Sequence, residues 1–170
     1  MGTWLALLIA SKSKLRPQVK GIIGIGAGVD FTERWLTQEV PPIHHQDLNY
    51  VWRRPSAYAP EGYYSIPVRF LLESRNALIL PDKHFHVECP VQFIHGHDDK
   101  DVPLTHVQQL RNRLIATSST RISLEVIKHG DHRLSRPQDL LCISQRILEL
   151  VKECEDSENR SSNALKAFLQ

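Results

Sequence analysis

The stretch CPVQFIHGHDDKDVP, Cys89 to Pro103, decides how the rest of the chain is read. Pro90 opens it, and a residue without an N–H suits the first position of a strand. Val91, Phe93 and Ile94 form a short apolar run, the pattern of a strand buried on both faces. His95-Gly96 ends the run, and three acids come next in the loop: Asp98, Asp99 and Asp101. Pro103 and the spacing of Leu104, Val107, Leu110 and Leu114 then predict an amphipathic helix. A carboxylate-rich loop therefore stands at the C-terminal end of a buried parallel strand. Open α/β sheets keep their ligands and catalytic groups at that end.

A second strand–loop–helix unit comes after it. The apolar residues Ile122, Leu124, Val126 and Ile127 predict a strand over Ile122 to Lys128. His132 lies just beyond it, in HGDHRLSRPQDLL (His129 to Leu141). Ser135 with Gln138 reads as a capping box, and Pro137 falls in the first helical turn. The helix is expected to continue through Leu141, Ile147, Leu148 and Val151. The loop acids and His132 are separated by about one βαβ unit, which sets them on neighbouring loops.

His95-Gly-x-x-Asp99-x-x-Val102-Pro103 resembles the acid loop of the α/β-hydrolase family, and Gly130-Asp-His132 resembles its histidine loop. Met1-Gly2-Thr3-Trp4-Leu5 resembles the residues just after the nucleophilic serine at the family's elbow, with Thr3 where a glycine is usual. From Met1 to about Val151 the chain is similar to the C-terminal two-thirds of one subgroup. That subgroup joins bacterial hydrolases with the animal mitochondrial enzymes known as palmitoyl-protein thioesterase or mycophenolic acid acyl-glucuronide esterase. The resemblance implies that Asp99 is the triad acid and His132 the base. Asp98 and Asp101 are alternatives that also suit solvation or helix capping. The backbone N–H of Met1 is implied as one half of the oxyanion hole.

The implied architecture is a partial α/β-hydrolase fold, a parallel sheet with flanking helices. Residues 1–29 and 86–151 are its core, 30–85 a helical cap insertion, and 152–170 a polar, disordered tail. Prolines at 41, 42, 55, 60 and 67 break the insertion, where short helices fit Thr32–Glu39 and Ser65–Ser74. Its aromatics, Trp35, Trp52 and Tyr63 among them, line an acyl or aryl pocket or form the lid's own core.

The nucleophile falls immediately before Met1. No G-x-S-x-G occurs in the chain; Ser11 and Ser13 sit at the far end of the first helix, and Cys142 lies inside the last one. The expectation is a truncated, inactive form of a serine hydrolase of carboxylic esters or thioesters. Its partner is a small-molecule ester or an S-acylated protein, and its setting, by resemblance, is mitochondrial. The alternative is a non-catalytic protein that keeps the fold as an interaction surface.

Other classes fit less well. A net charge of +2 over 170 residues gives no reason to expect nucleic acid. No run approaches the ~20 apolar residues of a membrane span. Met1 to Ala10 is apolar all round and reads as a buried helix, without the flanks of a signal peptide. Three widely spaced cysteines, Cys89, Cys142 and Cys154, make no disulfide framework. Gly24-x-Gly26-x-Gly28 lacks the spacing and distal acid of a dinucleotide site, so no cofactor is expected. It reads as a strand end, completing a candidate strand over Val19–Ile25, that passes close to neighbouring backbone. His95-x-His97-x-Asp99 approaches a zinc-hydrolase motif, but Lys100 stands where its last histidine belongs. His84-x-His86-x-Glu88 and His44-His45 read as solvated groups, and no metal is expected. Three strand candidates make a short sheet, whose open edge at Val19–Ile25 favours self-association.

Overall fold

The computed structural model describes residues 1–116 and 121–168, with 161–168 as backbone alone. The chain divides into two compact units, Met1–Gly28 with Asp82–Gln170, and Val29–Pro81.

The first unit is built on a three-stranded parallel sheet of β1 (Ile22–Ile25), β5 (Val91–Gly96) and β7 (Ile122–Ile127), in the order β1-β5-β7. All three sequence-predicted strands are present, in shortened or slightly extended form. Register runs Ile22 to Val91 and Val91 to Ile122. Every residue of β5 is buried, as a central strand covered on both faces requires. The strand reaches past the apolar run to take in His95 and Gly96. Outside this sheet, β4 (Phe85–Val87) pairs in parallel with β6 (Leu114–Ala116).

Three helices accompany the strands. α1 (Gly2–Lys12) buries Trp4, Leu7 and Ala10. It is not buried all round: Leu5 and Ile9 are exposed, so the uniformly apolar sequence covers only one face. α4 (Leu104–Arg113) buries Val107 and Leu110. It stops one residue before the expected Leu114, which leaves the helix to pair with Phe85 and is 6% exposed there. α5 runs from Pro137 to Phe168. The expected disordered tail is therefore helical over much of its length. Arg121–Glu153 (2.7 Å) and Lys20–Glu158 (2.8 Å) ion pairs join this part of α5 to the core unit, and the Cys154 thiol donates to the Lys20 carbonyl. The helix start is held by Asp139 in place of the expected Ser135–Gln138 box. The Asp139 carboxylate accepts the Arg136 backbone N–H at 3.3 Å and its guanidinium at 2.7 and 2.8 Å. That contact holds the Asp139 carboxyl below its ordinary range.

The second unit contains α2 (Phe31–Arg34), continued by a wider turn over Trp35–Glu39, then an antiparallel hairpin and α3 (Val68–Glu73). The hairpin pairs β2 (Val51–Pro55) with β3 (Tyr63–Pro67). Ser65 to Pro67 thus belong to a strand, where a helix was expected from Ser65. Leu36, Val40, Trp52, Val68 and Leu71 form the core of this unit. Asp30, in the left-handed region at φ 53°, joins its two ends: its carboxylate accepts the N–H groups of Ile79 and Leu80.

Candidate active site

Two loops leave the C-terminal ends of β5 and β7 and are locked to each other. His97 N–H donates to the Ile127 carbonyl (3.0 Å) and Asp98 N–H to the Gly130 carbonyl (2.9 Å). At the crossing, a Cβ on Gly96 would overlap the carbonyl oxygens of Gly130 and Asp131. Only a residue without a side chain lets the two backbones approach so closely. The glycines of His95-Gly96 and Gly130-Asp131-His132 are therefore two sides of one contact.

The acid loop is shaped by its own carboxylate. Asp99 Oδ1 accepts the backbone N–H groups of Asp101 and Val102, each at 2.9 Å. With one oxygen held, Oδ2 is aimed across the loop crossing, where it accepts from His132 Nδ1 at 2.8 Å. The Asp99 side chain is 0% exposed and that of His132 36%. Asp131 shapes the histidine loop in the same way: its Oδ1 accepts the N–H groups of Arg133 and Leu134. A carboxylate only accepts hydrogen bonds, so Nδ1 carries the proton and Nε2 of the neutral ring is left as the base. This is the geometry by which an acid fixes a histidine's tautomer for proton abstraction.

β1 completes the surroundings of the ring. Gly26 has φ +55°, and a Cβ there would lie 3.2 Å from His132 Cε1 and Nδ1. A Cβ at Gly24 would lie 2.8 Å from the Thr3 methyl and 2.9 Å from Phe93 Cδ1. The glycine pair thus clears space for His132 and for the first turn of α1. Side chains, more than the backbone anticipated from sequence, crowd this strand end. Met1 is the N-cap of α1, in that same region of the unit, and is 60% exposed.

Beneath the pair lies His95, 0% exposed. Its Nε2 donates to the Val102 carbonyl at 2.9 Å and stands 3.4 Å from Asp99 Oδ2. Burial pushes its pKa below the ordinary histidine value, so the ring is neutral. The other loop histidines are more open. His97 Nδ1 meets Asp98 Oδ1 at 2.7 Å, and His129 Nδ1 lies 3.5 Å from Asp98 Oδ2. His97 and His95 therefore serve different acids and do not converge with Asp99 as a zinc motif would.

Asp99, Asp101 and His132 each place one potential ligand atom within 4.8 Å of the others. Both Asp99 oxygens already accept N–H donors, a state suited to an orienting carboxylate. His84, His86 and Glu88 are all exposed. In the Val29–Pro81 unit, Trp52 is 7% exposed and lies in the core. Trp35 packs edge-on against it, with ring centroids 6.1 Å apart, and Arg54 covers the Trp35 ring at 4.6 Å. Tyr63 is half-buried, with Arg53 5.0 Å over its ring.

Sequence reasoning named Asp99 and His132 and missed the roles of Gly26, His95 and Asp131. Gly24-x-Gly26 and the acid directly before His132 were the available signals.

No family model matches the chain. Palmitoyl-protein thioesterase ABHD10, mitochondrial, from Rattus norvegicus is 31% identical over 153 residues, covering 89% of this chain and 49% of that protein. The Homo sapiens protein of the same name is 28% identical over 153 residues, covering 89% and 48%. A putative hydrolase from Agrobacterium vitis has a TM-score of 0.75 at 28% identity, over 88% of this chain and 58% of that one. Alpha/beta hydrolase domain-containing protein 10 from mouse has a TM-score of 0.72 at 27% identity, over 89% and 58%. The chain spans about half the length of the curated relatives it matches. No helix among the described residues is long and apolar enough to cross a membrane. By sequence and by fold, the chain is similar to α/β-hydrolases, with the palmitoyl-protein thioesterases ABHD10 among its relatives.

Proposed function

We propose that this chain supplies the acid and the base of a serine hydrolase acting on carboxylic esters or thioesters. The observation that carries the reading is the 2.8 Å bond from His132 Nδ1 to an Asp99 carboxylate that is itself 0% exposed. His132 Nε2 takes the proton of the attacking hydroxyl and returns it to the leaving group. Asp99 fixes the tautomer and stabilises the imidazolium. The Met1 backbone nitrogen, at the start of α1, contributes to the oxyanion hole once it is an amide next to the nucleophile.

The nucleophile comes from outside these 170 residues. Ser11 and Ser13 lie at the C-terminal end of α1, opposite the turn that packs on Gly24, and Cys142 is within α5. The 170-residue chain alone is accordingly inactive. In this reading the insertion 30–85 is the cap, and its aromatics Trp35, Trp52 and Tyr63 line an acyl or aryl pocket or form the cap's own core. S-acylated protein is the favoured substrate, because the relatives are named palmitoyl-protein thioesterase. The same name favours a mitochondrial setting.

The test is p-nitrophenyl ester and S-acyl thioester hydrolysis by the 170-residue chain against His132→Ala. Equal rates are expected, since general-base catalysis, worth typically about 10²–10⁴-fold, needs a nucleophile or a well-placed water for His132 to deprotonate. A stoichiometric acylation burst would place a nucleophile within these residues and overturn the assignment.

A further inference from the structure

We propose that His95 is a positioning residue for the acid of the pair, holding Asp99 in the one rotamer that reaches His132. The inference rests on the reading of Asp99 and His132 as the acid–base pair and adds a third group to it.

The argument starts from the turn after β5. Asp99 presents Oδ2 to His132 only while Oδ1 keeps the N–H groups of Asp101 and Val102. Those two N–H groups are aimed by the peptide path from Asp101 to Pro103. His95 fixes that path, because its Nε2–H donates to the Val102 carbonyl at 2.9 Å. The bond ties the end of β5 to Pro103, the residue at the head of α4. The same nitrogen is 3.4 Å from Asp99 Oδ2, the oxygen that accepts from His132, so the ring also packs against that end of the carboxylate.

An apolar residue could fill this volume. It would also avoid burying a ring nitrogen that lacks a partner: His95 Nδ1 is fully buried and has no hydrogen-bond partner among the described residues. A buried polar atom left unmatched is destabilising. The imidazole is kept in spite of it, and its other nitrogen is what an apolar residue cannot provide. Neutrality is part of the device. A protonated ring here would set a competing cation beside the oxygen that accepts from His132, and full burial keeps that form out.

The test is NMR of the 15N-labelled 170-residue chain. In the wild type, His95 is expected as the Nε2–H tautomer. The Nδ1–H tautomer would overturn the proposal outright, because Nε2 could then not donate to Val102; this measurement needs no variant. His95→Met, of similar bulk, is expected to abolish the low-field His132 Nδ1–H signal. It should also speed exchange of the Asp101 and Val102 amides about tenfold or more, as loss of a local clamp does. His95→Gln, whose amide reaches the same carbonyl, should restore both. Unchanged signals in His95→Met, or failure of His95→Gln to rescue, reduce His95 to packing and overturn the role. Asp99→Asn is the control for the underlying pair. If the His132 signal survives it, the acid–base reading itself fails, and a role for His95 in it fails as a consequence.

Discussion

Asp98 and Asp99 are adjacent in the chain, stand in one loop, and each meets histidine across the same loop crossing. Their surroundings differ in kind. The Asp99 side chain is 0% exposed, takes two backbone N–H groups on one oxygen and His132 on the other. The Asp98 side chain is 51% exposed and holds two exposed histidines, His97 at 2.7 Å and His129 at 3.5 Å. A 2.7 Å contact is shorter than a 2.8 Å one, yet the shorter pair is the weaker candidate. Distance alone does not make an orienting acid. Burial raises the strength of the bond and removes water as a rival partner, while backbone donors leave the carboxylate only one direction to face.

The comparison breaks most completely at the glycine beneath both couples. Gly96→Ala puts a methyl into the carbonyl oxygens of Gly130 and Asp131, which are backbone and cannot swing aside. The loops must separate, so both couples come apart. Overpacking of this kind costs about 1–3 kcal/mol and more where backbone has to move. The expected outcome is loss of cooperative thermal unfolding, or a fall in stability at or above the top of that range. Unfolding that stays within experimental error of wild type would show that the crossing is looser than the distances say.

Asp99→Ala separates the couples. It removes the side-chain acceptor of the Asp101 and Val102 N–H groups and of His132 Nδ1, and leaves Asp98 as it was. At about 1–3 kcal/mol per buried donor left unpaired, a loss of roughly 2–5 kcal/mol is expected in denaturant unfolding, with discount for water entering the loop. A loss no larger than that of an exposed substitution would remove the distinction drawn between the two acids.

The same distinction marks what the sequence makes legible. Strand, acid loop, strand and histidine loop were readable because each is local: an apolar run, then a glycine, then polar residues. Asp99 and His132 could be named from where those loops begin. The crossing at Gly96 and Gly130 was not readable, because the partner of each glycine lies one strand away. The hairpin Val51–Pro55 with Tyr63–Pro67 was hidden for a different reason. Its strands are joined by a long loop with Pro60, which lacks the two-residue turn that signals a hairpin. Leu114 kept the helical period and yet pairs with Phe85, a choice made by tertiary burial over local pattern. The tail beyond Val151 looked too polar to order, but Glu153 and Glu158 have basic partners at Arg121 and Lys20 that no window of neighbouring sequence contains.

Asp98→Asn is expected to have the smallest effect, and its pH dependence shows why. The hydrogen bond from His97 is the main cause that holds the Asp98 carboxyl below its ordinary value of 3.8, with His129 adding to it. A carboxyl whose pKa is lower folded than unfolded stabilises the fold above the ordinary value, and that contribution disappears as pH falls through the lowered one. At neutral pH the carboxylate is ionised and both histidine contacts can form. Both partners are exposed, however, and water and salt replace most of the attraction. The variant should unfold within about 1–2 °C of wild type at pH 7, a shift that roughly 1 M salt, with a Debye length of about 3 Å, should erase. Any difference that remains should shrink further as pH falls from the ordinary value of 3.8 through the lowered one, where wild-type Asp98 is itself protonated. Thermal scans of wild type, Asp98→Asn and Asp99→Ala at two salt concentrations put the comparison on one axis. If Asp98→Asn lowered Tm as far as Asp99→Ala, and did so in high salt, the exposed couple would be holding the loops together and the buried one would lose its claim to that role.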